Sequence, residues 1–203
     1  MQFTLSPVRT ALGNRTFAAY LVVSVLADCG FWIAIVAQGW LVVRVTHSPV
    51  WLGIVGAAAQ SPALFMSLIG GIVADRFDRR VAILVTESAI ALIALATAYL
   101  IARDSLSLIG LCLLSFATGT MLAIEHPIDR AFIYELIDGK DVEQSVALSS
   151  VEFSIARTAG PAIGGVAIAT IGIAGGYSLQ AACVVPIIAF ATYALRGRIA
   201  EQS

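Results

Sequence analysis

The stretch GIVADRFDRR, residues 71–80, sets five charged side chains between two long apolar runs. The first run covers residues 50–74 and includes the start of this stretch, and the second run covers residues 81–102. A helix that crosses a bilayer needs about 20 mostly apolar residues, because each residue rises about 1.5 Å through a hydrocarbon core about 30 Å thick. The two runs therefore predict two membrane helices joined by a short charged loop.

The same pattern extends outward over residues 1–203, which we interpret as a single membrane domain. Four more apolar stretches reach the required length, and these cover residues 17–43, 106–124, 146–173 and 177–195. Lipid offers no partners for backbone N–H and C=O groups, so all six spans are expected to be helical. The polar segment 125–145 is expected to carry a surface helix. The sequence thus predicts an all-α membrane protein with six transmembrane helices.

Composition agrees with a lipid environment. Of the 203 residues 59% are hydrophobic and 12% are charged, and the mean hydropathy is +0.92. A soluble domain carries roughly twice that charged fraction. The net charge of −1, without a basic cluster interleaved with aromatics, gives no indication of a nucleic-acid partner. The first apolar run is much longer than the core of a signal peptide, so we interpret it as a retained span.

Signatures of catalysis and of metal binding are missing from the sequence. Cys29, Cys112 and Cys183 all lie in apolar stretches without metal-binding spacing. The chain has no G-x-S-x-G, H-E-x-x-H, Walker or G-x-G-x-x-G motif. We therefore predict that the protein is not an enzyme and that it needs no cofactor or metal.

The distribution of basic residues predicts the orientation. If both termini are cytoplasmic, nine Lys and Arg residues lie in inside segments and two lie outside. Positive charge accumulates on the cytoplasmic side of membrane proteins, so this arrangement is the favoured one. The inside residues are Arg9, Arg15, Arg76, Arg79, Arg80, Arg130, Lys140, Arg196 and Arg198, and the outside residues are Arg44 and Arg103.

An internal similarity suggests two related triplets of helices. The sequence IGGIVA at 69–74 is similar to IGGVAI at 163–168. Inverted three-helix repeats are common in transporters, although Gly-Gly pairs also occur wherever membrane helices pack closely. A 3+3 repeat is therefore our expectation for the six helices.

The charged loop also carries a family resemblance. Its residues Gly71, Asp75, Arg76, Arg79 and Arg80 follow the order G-x-x-x-D-R-x-G-R-R, with an aspartate at the usual second glycine. This resembles the gating loop of major facilitator transporters; the alternative is a charge cluster that only sets topology. Further similarity to the siderophore-exporter and macrolide-efflux-like branch, the transmembrane secretion effectors, lies in residues 14–28, 46–49, 127–137 and 147–165.

One part of that similarity is a glycine-proline motif in the fifth predicted span. Gly160, Pro161, Gly164 and Gly165 resemble the Gly-Pro-x-x-Gly-Gly motif that is associated with exporters. Proline removes a backbone donor and kinks a helix, and the glycines leave room for a neighbouring helix. Close packing at a kink and a direct role in gating are both compatible with this pattern.

Charged residues inside the spans mark a candidate substrate and proton path. Such a charge costs about 2.5–3.5 kcal/mol at a helix centre, so it normally faces a partner or a wet cavity. The candidates are Asp28, Glu87, Glu152 and Arg157. Apolar surroundings disfavour the charged form of a carboxylate, so Asp28 is the best candidate for protonation. The alternative is a structural Asp28–Arg157 pair that only holds two helices together.

Three glutamines are further polar groups within the spans. Gln38, Gln60 and Gln180 each lie in an apolar stretch. They either line the path or bond to a neighbouring helix.

The resemblance implies the amino-terminal half of a twelve-helix transporter in the cytoplasmic membrane. It implies proton-coupled export of a small organic molecule such as a drug or a siderophore. A half-length chain is expected to pair with a second copy or with a separately encoded second half. The alternatives are a truncated relic without transport activity, and a membrane scaffold or regulator of another complex.

Overall fold

The computed structural model describes the backbone of residues 14–137 and 142–202; the side chains of residues 67–68, 70–71, 73–75 and 197–202 lie outside the description. Within this part of the chain the regular secondary structure is entirely helical. The helices are α1 (Arg15–Thr46), α2 (Pro49–Gln60), α3 (Ala63–Arg76), α4 (Arg79–Ala102), α5 (Leu108–Leu136) and α6 (Val142–Gln202).

Short polar side chains fix several helix starts. Asn14 Oδ1 accepts hydrogen bonds from the backbone N–H groups of Thr16 and Phe17 at 3.1 and 3.2 Å. Ser107 Oγ accepts from Gly110 N at 3.0 Å at the start of α5. These caps satisfy N–H groups that have no partner within the helix.

The second predicted span is divided in the structure. Residues 50–74 form α2 and α3, which are separated by a turn at Ser61 and Pro62. Proline has no backbone N–H to donate, so it fits the start of α3 better than the interior of one continuous helix.

Five helical segments of the described chain are long and apolar enough to cross a membrane, whereas the sequence predicts six. The last of them, Val142–Arg196, covers 55 residues and includes both of the final two predicted spans. Within α6 the backbone leaves the helical region at Gly172, where φ is 77° and ψ is 176°. We call the parts on either side, residues 142–171 and 173–202, the first and second segments of α6.

The two segments of α6 run in opposite directions beside α1. A Cβ placed on Gly160 or Gly164, in the first segment, would contact Cys29 or Ile33 of α1. A Cβ placed on Gly30 of α1 would contact Gln180 in the second segment. Positions on both sides of Gly172 therefore meet the same level of α1, which requires a helical hairpin.

The fourth predicted span is longer than its apolar stretch. The sequence predicts an end at residue 124 and a separate surface helix, but α5 continues without a break through Pro127 to Leu136. Ile128, Phe132 and Ile133 of this extension are 0%, 1% and 8% exposed. Their burial explains the continuation, because helix and core contacts are lost together if the helix ends earlier.

The core lies where α1, α4, α5 and the second segment of α6 meet, and its buried side chains include Tyr20, Ile83, Phe132 and Val184. Large apolar side chains are also exposed along the helices; these include Val22, Val50, Leu64, Leu92, Ile109 and Val166. Extensive exposed apolar surface is unusual for a soluble monomer and suits contact with lipid.

Candidate functional site

A pair of carboxyl groups connects α1 to the first segment of α6. Asp28 is half-buried, Glu152 is 9% exposed, and their carboxyl groups lie close to each other. Two ionised carboxylates repel each other strongly in apolar surroundings, so this contact favours a proton on one of the two groups. The pair is therefore a candidate for holding a proton between two helices.

A second carboxyl pair connects α4 to α5. Glu87 is 4% exposed, and its carboxyl group lies close to that of Glu125. Glu125 Oε2 is buried and receives no hydrogen bond from the donors of the described residues. The same argument applies as for the first pair, and this contact also favours a proton on one of the two groups.

A tyrosine–aspartate hydrogen bond lies between the two pairs. The hydroxyl of Tyr20, on α1, donates to Asp129 Oδ1, on α5. Asp129 follows Glu125 by one helical turn and lies close enough to Asp28 and Glu152 for electrostatic interaction. We call Asp28, Glu87, Glu125, Asp129 and Glu152 the acidic cluster.

Arg157 lies apart from this cluster. Its side chain is exposed, and its guanidinium carbon lies 5.6 Å from the centroid of the Trp32 ring. Over the described residues Arg157 forms no ion pair, and the partner of Asp28 is Glu152 rather than Arg157. The alternative of a structural Asp28–Arg157 pair is therefore not found in this structure.

The charged loop connects the start of α4 to the end of α5. Arg79 Nη1 lies 3.0 Å from Glu135 Oε2, and Arg80 Nη2 lies 2.9 Å from Glu135 Oε1. The Arg80 guanidinium also lies 5.5 Å from the centroid of the Phe132 ring. One glutamate thus holds both arginines.

The structure describes the positions of some of the other loop residues. Gly71 lies in α3, and the side chain of Asp75 lies outside the described residues. Arg76 ends α3 and is exposed. Asp78, where the family pattern has glycine, caps α4 by accepting a hydrogen bond from Arg80 N at 2.9 Å. Its φ of −60° is one that any residue adopts, so this position does not require glycine.

The glycine-proline motif packs against α1 on one side only. A Cβ at Gly160 would lie 2.5 Å from Trp32 Cβ, and one at Gly164 would lie 3.1 Å from Ile33 Cα. A Cβ at Gly165 meets nothing within 4 Å. The non-helical backbone of α6 lies at Gly172 and not at Pro161, so Pro161 sits inside a continuous helical segment.

The three glutamines predicted from the sequence lie together. Gln38, Gln60 and Gln180 line one cavity of about 170 Å³ within the helix bundle. Ser115 Oγ donates a hydrogen bond to Gln38 Oε1 at 3.2 Å.

Sequence reasoning missed three members of this arrangement: Tyr20, Glu125 and Asp129. The signal was the i, i+4 spacing of Glu125 and Asp129, which places both carboxylates on one helical face if the helix continues past residue 124.

Comparison with known proteins identifies the family. Residues 4–202 match the model of the transmembrane secretion effector family. The chain belongs to this family. It is therefore a multi-pass membrane protein of the major facilitator superfamily, whose members are transporters rather than enzymes.

Two curated transporters are similar to this secretion-effector chain. It is 29% identical over 161 residues to the staphyloferrin A transporter of Staphylococcus aureus, and the aligned region covers 79% of this chain and 41% of that protein. It is 26% identical over 166 residues to YfiS of Bacillus subtilis, an uncharacterised MFS-type transporter, over 81% of this chain and 38% of that protein. The chain spans about two fifths of the length of these curated relatives. No solved structure matches it significantly.

Proposed function

We propose that this chain is the amino-terminal six-helix half of a secondary transporter that couples proton movement to the export of a small organic molecule. The observation that carries the proposal is the Asp28–Glu152 carboxyl pair. A membrane protein that needs only to join two helices has no reason to use two groups that repel each other when ionised.

The pair supplies a simple coupling mechanism. With its proton, the pair bridges α1 and the first segment of α6. When the proton leaves, two like charges meet in apolar surroundings, where their repulsion is much stronger than in water. Separation of the two helices, or entry of water, relieves this repulsion. Proton release is thereby linked to a change in helix packing, which is the step that alternating access requires.

The Glu87–Glu125 pair extends the proposed path across the bundle. Asp129 lies between the two pairs, and its partner Tyr20 belongs to the same helix as Asp28. A proton lost from one pair changes the electrostatic potential at the other, so the two pairs are expected to titrate together.

The cargo class comes from the relatives rather than from the geometry. The match to the staphyloferrin A transporter covers 79% of this chain. We infer a small organic cargo, of which a siderophore is the first example to test and a drug the second. Export, with proton entry in exchange, is inferred from the family resemblance.

The membrane arrangement is part of the proposal. The six spans are α1, α2 with α3, α4, α5 and the two segments of α6, with both termini on the cytoplasmic side of the cytoplasmic membrane. The position of Arg157 favours a partner protein on this face, because an exposed charge near the middle of a membrane helix is costly against lipid. A second copy, or a separately encoded second half, is proposed to cover this face.

The test is cargo uptake by liposomes that contain the purified chain and have an acidic interior. Staphyloferrin A and ethidium serve as cargoes, and an enclosed pH dye reports proton efflux. We expect accumulation of one cargo with matching proton loss from the wild type. Asp28→Asn is expected to abolish gradient-driven accumulation, because an amide cannot release the shared proton.

A matched control separates the pair from general effects of removing an acid. Asp104→Asn changes an exposed acid between α4 and α5, and it is expected to leave accumulation unchanged. Unaltered accumulation in Asp28→Asn argues against coupling at this pair. Absence of cargo movement in every preparation favours the scaffold or relic alternatives.

A further inference from the structure

The cavity that holds the three glutamines is separate from the acidic cluster. It lies among α1, α2, α4, α5 and the second segment of α6, and its volume is about 170 Å³. Phe31 and Leu122 line it, and each lies three residues from an acid, Asp28 and Glu125 respectively. The cavity therefore lies one helical turn from each of the two carboxyl pairs.

The cavity is mainly apolar, carries several uncharged polar side chains and has no charged one. All of its lining residues belong to the described part of the chain, and none of them is Asp, Glu, Lys, Arg or His. An ion buried in such surroundings would have no opposite charge to compensate for its lost hydration. The lining thus selects against ionic occupants.

One buried hydroxyl in the lining lacks a partner. Tyr177 is 6% exposed, and its hydroxyl forms no hydrogen bond with the described residues. Beside it in the lining, Gln180 is 3% exposed. A buried tyrosine hydroxyl normally has a hydrogen-bond partner, so this one points to an occupant that supplies it.

The volume limits the size of that occupant. An engineered cavity of about 150 Å³ in another protein binds benzene, so a cavity of this size holds a single ring with one small substituent. Apolar side chains such as Ile35, Leu111 and Leu114 supply surface for the ring. The amide of Gln180 and, after a small shift of its buried ring, the hydroxyl of Tyr177 are the groups that we expect to bond to the substituent.

We propose that this cavity is a binding site for an uncharged molecule of about one ring that carries a hydrogen-bonding group, such as a phenol. The proposal concerns binding alone and does not rest on the proposed transport function. Its test needs no membrane gradient and no cargo assay, so failure of one proposal leaves the other intact.

The experiment is fluorine NMR of the chain in detergent with 4-fluorophenol, fluorobenzene and 4-fluorobenzoate as probes. We expect saturable binding of 4-fluorophenol, binding of fluorobenzene that is weaker by about tenfold because one hydrogen bond is lost, and no saturable binding of the benzoate anion. Partition of each probe into detergent is the same for all variants, so differences between variants report the protein site.

Two substitutions define the location. Ala34 lines the cavity and is 8% exposed, so Ala34→Leu is expected to fill part of the space and weaken 4-fluorophenol binding by at least about tenfold. Tyr177→Phe is expected to remove the preference for 4-fluorophenol over fluorobenzene. Their matched controls are Ala169→Leu and Tyr193→Phe, at exposed positions, and these are expected to bind like the wild type.

The proposal is overturned if 4-fluorophenol does not saturate the wild type, in which case the cavity holds only water. It is also overturned if Tyr177→Phe and Ala34→Leu both bind like their controls. Should Ala34→Leu not fold, Thr118→Leu is a second filling variant in the same lining. Circular dichroism and gel filtration report the folding of each variant.

Discussion

The carboxyl groups of Asp28 and Glu152 lie against each other between α1 and the first segment of α6. Two ionised carboxylates repel each other in apolar surroundings, so the contact is favourable only while one of the two groups holds a proton. We therefore expect the packing of the two helices to depend on pH, and stability measurements can detect that dependence without knowledge of the cargo.

We expect the wild type in detergent to lose thermal stability as the pH is raised, because the shared proton is lost and the ionised groups repel. Asp28→Asn is expected to reduce this loss, because the amide donates to ionised Glu152 at every pH. A difference of about 1–2 kcal/mol corresponds to about 2–8 °C in the unfolding temperature. Circular dichroism melts across the pH series measure it.

Two further variants complete this test. Asp104→Asn, which removes an exposed acid, is expected to follow the wild type at each pH. Adding Glu87→Gln to Asp28→Asn is expected to flatten the profile further, because the second carboxyl pair also needs a proton. Identical profiles for the wild type and Asp28→Asn contradict the shared-proton interpretation.

The ion pairs between the charged loop and α5 give a second prediction. Glu135 accepts from both Arg79 and Arg80, and the Arg80 side chain is 15% exposed against 33% for Arg79. Removal of either arginine breaks one partly exposed ion pair, but Arg80 also lies over the Phe132 ring. We expect Arg80→Ala to destabilise the protein by about 1–2 kcal/mol and Arg79→Ala by less than about 1 kcal/mol.

Chemical denaturation in a fixed detergent measures these differences. Arg76→Ala is the control, because Arg76 is exposed and forms no ion pair with the described residues. Glu135→Gln is expected to resemble Arg80→Ala, since one substitution weakens both ion pairs. Equal effects for Arg79→Ala and Arg80→Ala contradict the greater contribution assigned to Arg80.

The helical class, the family and the charged loop could be predicted because they depend on local composition. The length of an apolar run indicates a membrane helix whatever other helices pack against it, and the loop motif lies within residues 71–80. Helix ends were harder to predict. The charges at Glu125 and Asp129 and the proline between them indicate a helix end at residue 124, whereas burial of Phe132 keeps α5 continuous.

The partners in the site could not be predicted because they come from distant parts of the chain. Asp28 lies close to Glu152 and not to Arg157, whereas the sequence left an Asp28–Arg157 pair open as an alternative. The choice depends on the rotation of the first segment of α6 about its axis. Gly160 lies close to α1 in that orientation. The motif indicates close packing at Gly160 but does not indicate which helix it packs against.

The glycine-proline motif supplies a third prediction with an internal control. A Cβ at Gly160 would lie 2.5 Å from Trp32 Cβ and 3.0 Å from the Cys29 carbonyl oxygen, whereas Gly165 has open space. We expect Gly160→Ala to destabilise the protein by about 1–3 kcal/mol, because α1 must move. Gly165→Ala is expected to be neutral or to stabilise by up to about 1 kcal/mol through its higher helix propensity.

Thermal melts of the two variants at one pH decide this point. Since both substitutions add one methyl group to the same helical segment, their difference reports the approach of α1 alone. Equal melting temperatures contradict the close contact between Gly160 and α1. The cargo assay can be run on both variants, and loss of transport in Gly165→Ala without loss of stability indicates a gating role for this motif.

The hairpin in α6 gives the last prediction. Gly172 has φ 77° and ψ 176°, a backbone conformation that is essentially restricted to glycine. A Cβ at this position meets no atom within 4 Å, so strain in the backbone is the whole cost of adding one. We expect Gly172→Ala to destabilise the protein by about 1–3 kcal/mol. Gly53→Ala is the matched control, because Gly53 also has open space around it and lies in a helix. If the two variants melt together, the segments of α6 do not need this conformation to turn back along α1. If only Gly172→Ala is destabilised, the turn between the segments depends on one glycine. A pair of cysteines introduced at contacting positions of α1 and the second segment should then crosslink less readily in that variant.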